Sequence, residues 1–82
     1  MTTFIDIHDL PGVKATDVAD AHAADVRVQG AYGVDYRMYW VDEAAGKVFC
    51  LVDAPSPDAA ALVHREAHGL VAQDIFPVVE GD

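Results

Sequence analysis

Hydrophobic and polar positions change rhythm along this chain, and the changes mark its elements. Thr3-Phe-Ile-Asp-Ile-His8 alternates and carries Phe and two Ile, which predicts a strand. Asp9-Leu-Pro-Gly12 is turn chemistry. Thr16 is placed to cap a helix, with Asp17 and Asp20 favouring its N-terminal dipole. The Ala-rich run from Asp17 to Gln29 has Val18, His22 and Val26 at helical spacing and is expected to stop at Gly30.

Aromatic and β-branched residues from Val34 to Val41, the short loop Asp42–Gly46, and Lys47–Val52 predict a β-hairpin. Pairing Asp42 with Lys47 puts Tyr36, Met38, Trp40, Phe49 and Leu51 on one face. Tyr39, Val41, Val48, Cys50 and Val52 then share the other. Both faces are apolar, so one is expected to pack on helices and the other on a second copy of the chain. Ser56 caps a second helix, with Pro57 at its first position. That helix is expected to end near His68, stopped by Gly69, with a core stripe of Ala59, Leu62, Val63, Ala67 and Leu70. Gln73–Val79 predicts a last edge strand, followed by the polar tail Glu80-Gly81-Asp82.

The order strand-helix-strand-strand-helix-strand points to an α+β, ferredoxin-like βαββαβ sandwich: an antiparallel sheet with two helices on one face. Its length of 82 residues suits a single domain, residues 1–82. This connectivity returns His8, the hairpin loop and the end of the second helix to the same end of the sheet. It gathers His8, His64, His68, Asp9, Asp42 and Glu43 there, with His22 in the upper half of the first helix.

Charge narrows the partners. Fourteen Asp and Glu against five Lys and Arg give a net charge of −9, which disfavours nucleic acid and anionic membranes. No run approaches a membrane span, and the start MTTFIDIHDL lacks the pattern of a secretory signal, so a cytoplasmic location is expected. One cysteine, Cys50, rules out an internal disulfide and a Cys-rich zinc site. No Ser/His/Asp order or phosphate loop stands out, so the chain is not expected to be an enzyme.

His64 and His68 lie four apart, on one face of a helix and flanking its core stripe, where they are expected to reach solvent. Neutral imidazoles at that spacing can share a divalent ion, with carboxylates and water completing its shell. That donor set suits nickel first, with zinc or copper as alternatives. The candidate ligands are His64, His68, His8, His22, Asp9, Asp42 and Glu43, and binding is expected to weaken as pH falls through about 6.5. Plainer readings exist, and for His8 it is a backbone-satisfying role at the end of a strand. The paired histidines suit a helix C-terminus, His22 a half-buried core, Asp42 and Glu43 a solvated loop, and Cys50 a small buried hydrophobe.

The segments DVADAHAADVRVQGAYGVDYRMYWVDEAAGKVFCLVDAPSPDAA and VHREAHGLVAQDI resemble a family of small actinobacterial proteins. The family was first catalogued as a domain of unknown function and includes a nickel-binding member. YWVDEAAGKVFCLVDAP and HREAHG are the most specific parts. The resemblance implies a ferredoxin-like homodimer with surface nickel sites, and a role in sequestering or detoxifying excess metal. Two alternatives stay open. One is a small dimeric α/β-barrel enzyme, of isomerase or cofactor-free oxygenase type, with a pocket between sheet and helices lined by His22 and Tyr or Trp rings. The other is a plain interaction module.

Overall fold

The computed structural model describes residues 1–81, so Asp82 of the polar tail lies outside the described residues. Strands β1 (Thr2–Asp9), β2 (Asp35–Asp42), β3 (Lys47–Ala54) and β4 (Asp74–Pro77) form one sheet in the order β2-β3-β1-β4. Every neighbouring pair is antiparallel. Helices α1 (Ala15–Val28) and α2 (Pro57–Ala67) complete the ferredoxin-like arrangement. Val18 of α1 and Ala60 and Val63 of α2 join Phe4, Val48, Val52 and Ala54 of the sheet in one buried core. Among the described residues no helix is long and apolar enough to cross a membrane.

The hairpin keeps the expected Asp42–Lys47 pairing, but its register shifts between Tyr36 and Met38. This bulge at Arg37 breaks the two-residue alternation, which moves Tyr36 from the outer face to the core, where it is 2% exposed. Met38 and Trp40 stay outside with Phe76, each about half exposed.

Helix α1 starts two residues before its expected first residue. Lys14 occupies the cap position without a side-chain bond, and the Ala15 N–H donates instead to Glu43 Oε2 at 2.7 Å. The hairpin loop therefore supplies the cap that Thr16 was expected to give. Instead of ending at Gly30, the helix passes at Val28 into a short 3-10 turn, Gln29–Tyr32. The Ser56 cap of α2 holds, its Oγ accepting from the Ala59 N–H at 3.1 Å. At the other end Gly69, with φ +81°, turns its N–H back to the His64 carbonyl at 2.9 Å. The last strand is shorter than Gln73–Val79.

The core stripe of α2 differs from expectation. Ala60, Val63 and His64 are buried, while Leu62 and Leu70 are exposed. Ala60 has no side chain beyond Cβ to hold the helix off the sheet. The stripe rotates by about one position, and His64 turns inward with it.

Candidate metal centre

Alternation along β1 sends Phe4, Asp6 and His8 to the helix side and Ile5 and Ile7 to the other. Asp6 faces Cys50 directly across β1 and β3, and both are buried. From above, α1 contributes Asp25 and α2 contributes His64, each 2% exposed. Two carboxylates, two imidazoles and a thiol thus meet inside an 82-residue domain. Charges in such a place must be paired.

They are. His64 Nδ1 donates to Asp25 Oδ1 and His64 Nε2 to Asp6 Oδ2, each at 2.9 Å. Burial alone would strip the proton from His64, but Asp25 and Asp6 outweigh it and push its pKa up to about 9. The ring is therefore an imidazolium clamped between two carboxylates at neutral pH. Burial works against the Asp6 charge too, but His64 and His8 prevail and hold it well below the usual carboxylate range. The Tyr36 hydroxyl donates to Asp6 Oδ2 at 2.8 Å, and its own pKa is pushed up by burial and by the Asp6 charge. Burial, with help from Asp6, also keeps Cys50 a protonated thiol.

Around His64 Nδ1 lies a triangle of donors. Asp25 Oδ1 is 2.9 Å from His64 Nδ1 and 3.0 Å from His68 Nε2, and the two nitrogens are 3.1 Å apart. Ligands at about 2.1 Å from one ion, on adjacent corners of an octahedron, stand about 3.0 Å apart. The metal-free hydrogen bonds therefore hold these atoms at nearly the spacing a divalent ion would impose. His68 is set by a bond from the Leu70 N–H to its Nδ1 at 3.1 Å, which leaves Nε2 to donate to Asp25. Burial and the neighbouring His64 charge depress the His68 pKa despite Asp25.

A cavity of about 50 Å³ opens beside this triangle, bounded among others by His8, His22, Asp25, Cys50, His64 and His68. At roughly 10–15 Å³ per water, its volume is that of three to five, and its walls are mostly apolar outside the triangle. His22 rests against Tyr39 on its wall, ring centroids 5.0 Å apart.

The fold thus brings together His8, His64 and His68, and puts His22 on the same cavity. It does not bring in the other three. Asp9 points away from the core and pairs with Lys47, Asp42 Oδ1 accepts from the Ala45 N–H at 3.0 Å, and Glu43 caps α1. Being at the same end of the sheet was not enough, because each carboxylate sits on an exposed position with a nearer partner. The expectation that His64 reaches solvent is corrected by its burial. Asp6 and Asp25 are not among the ligands expected from the sequence. Asp6 shares the parity of Phe4 and His8, and Asp25 lies seven residues after Val18, so both periodicities carried the signal.

The chain matches the family described as nickel responsive protein SCO4226-like over residues 4–78. It belongs to this family. SCO4226 itself, from Streptomyces coelicolor A3(2), has a crystal structure that superposes on the chain with a TM-score of 0.90 at 32% identity, covering 98% of this chain and 99% of that one. No curated protein matches. The likeness to SCO4226-like proteins extends across both strands and both helices that carry the buried donors.

Proposed function

We propose that this SCO4226-like protein binds a divalent metal ion, nickel first, through His64 Nδ1, His68 Nε2 and Asp25 Oδ1. The observation that carries this reading is the triangle of donors, with edges of 2.9, 3.0 and 3.1 Å, beside a cavity that can hold water. Two imidazoles and a carboxylate occupy one face of an octahedron, and water fills the rest. The nickel-responsive family supports the choice of ion. The role we assign is capture of excess nickel in the cytoplasm, by a homodimer joined through the outer sheet face.

Binding replaces protons. His64 gives up the proton it donates to Asp25, and His68 must move its proton to Nδ1, losing the bond from Leu70. That bond is worth about 1 kcal/mol, far less than metal coordination returns. The pH at which binding weakens therefore follows His64, near 9 rather than 6.5.

Titration calorimetry with nickel tests this reading. His68→Ala and Asp25→Asn should each weaken binding at least tenfold while the far-UV spectrum stays native. Unchanged affinity in both folded variants would remove the assignment.

A second reading, the small isomerase or cofactor-free oxygenase, draws on the same cavity, lined by His22 and Tyr39. The cavity's mostly apolar walls suit an organic ligand, whereas its volume of about 50 Å³ is small for one.

A further inference from the structure

His64 presents a different set of groups to each ring nitrogen. Beyond Nε2 lie Asp6, His8 and Cys50, all buried, each with one ligand atom within 4.8 Å of the others and of His64. His8 Nε2 stands 3.3 Å from His64 Nε2 and 3.2 Å from Asp6 Oδ1. Two buried atoms here make no well-formed hydrogen bond, Asp6 Oδ1 and His8 Nδ1, with only the His8 ring and the Cys50 thiol against the Asp6 carboxylate on this side. An unpartnered oxygen on a buried carboxylate costs free energy that a hydrogen bond or a cation would recover. Tyr36 and His64 both satisfy the other oxygen, Oδ2, which leaves Oδ1 turned to the histidine and thiol side.

We propose that Asp6 Oδ1, His8 Nε2, His64 Nε2 and Cys50 Sγ form a second metal position, suited to a thiophilic ion of tetrahedral preference such as zinc. Two donor separations, the donor count and the charge support this position. Tetrahedral ligands at about 2.0–2.1 Å stand about 3.3–3.4 Å apart, wider than the octahedral edge and close to the 3.2 and 3.3 Å seen here. The set has four protein donors, so it needs no water and can be closed. One carboxylate and one thiolate cancel the charge of a divalent ion, so the loaded four-donor set is itself neutral and the interior charge is unchanged by binding. Binding displaces the thiol proton and the proton on His64 Nε2. The remaining His64 Nδ1–H keeps its bond to Asp25, which then orients the ligand from outside the coordination shell.

The two positions compete without overlapping. An ion on Nε2 leaves Nδ1 protonated and so removes His64 from the nickel triangle. Zinc should therefore weaken nickel binding although no donor atom is shared.

Cobalt(II) titration of the reduced, metal-free protein tests the interior position. A thiolate-to-cobalt charge-transfer band and intense tetrahedral visible bands are expected, with one equivalent of zinc abolishing both. Cys50→Ser should lose the charge-transfer band and bind zinc at least tenfold more weakly, whereas His68→Ala should keep both. A wild-type cobalt complex without the charge-transfer band, or unchanged zinc affinity in Cys50→Ser, would overturn the proposal. The nickel triangle fails separately, through His68→Ala, so the two outcomes are distinguishable.

Discussion

At the scale of single residues His64 is the pivot, its two ring N–H groups held by Asp6 and Asp25. The sign of its pH effect follows. A raised folded pKa stabilises the protein fully below the ordinary value of 6.5, and that contribution disappears as pH rises through about 9. The depressed Asp6 pKa acts in the opposite direction: its contribution is complete above the ordinary 3.8 and is lost as acid protonates it. The depressed His68 pKa adds stability as pH rises toward 6.5, so metal-free stability should peak in the upper part of the interval from about 4 to 6.5 and fall by a few kcal/mol toward pH 9. Urea midpoints across that range check it, and a midpoint that rises between pH 7 and 9 would contradict it. His68 carries a second expectation. Its Nδ1 must release the Leu70 N–H on binding nickel, so the Leu70 amide should exchange faster in the loaded protein, read by hydrogen exchange with a diamagnetic surrogate such as zinc in Cys50→Ser.

At the scale of elements, two loops decide how the site end is closed. Gly46 has φ +67°, and a Cβ there would come 2.9 Å from the Pro11 backbone, while its carbonyl accepts from the Leu10 N–H at 2.7 Å. Gly46→Ala should therefore cost on the order of 1–3 kcal/mol, measured by denaturant unfolding. Glu43→Ala removes the α1 cap and should cost about 1 kcal/mol with nickel affinity unchanged. Loss of nickel binding in that variant would return Glu43 to the ligand set. Much at this scale was legible. The alternation of β1, the hairpin pairing, and the Ser56–Pro57 and Gly69 limits of α2 all follow from local chemistry. The Arg37 bulge was not, because a single inserted residue leaves no mark in a pattern of aromatics that reads as apolar on either parity. Nor was the rotation of α2, since Leu62 is more hydrophobic than His64 and only partners on β1 and α1 make burying the histidine favourable.

For the whole molecule, connectivity was the strongest predictor. It foretold that His8, His64 and His68 would meet, because antiparallel returns fix which ends coincide. Connectivity does not distinguish inward from outward positions, so Asp9, Asp42 and Glu43 share that end of the sheet without joining the buried cluster. The outer sheet face remains apolar, with Met38 at 48% and Trp40 and Phe76 at 51% exposure beside half-buried Ile5, Ile7, Phe49 and Leu51. Paired copies would cover it. Trp40→Asp should shift the sedimentation profile from dimer to monomer, and a wild-type chain that sediments as a monomer would end that part of the reading.

The most direct test of the metal assignment is anomalous diffraction at the nickel edge from a nickel-soaked crystal. A peak about 2.1 Å from His64 Nδ1, His68 Nε2 and Asp25 Oδ1 is expected. Nickel found only at exposed carboxylates or surface termini, with this triangle still hydrogen-bonded, would contradict it.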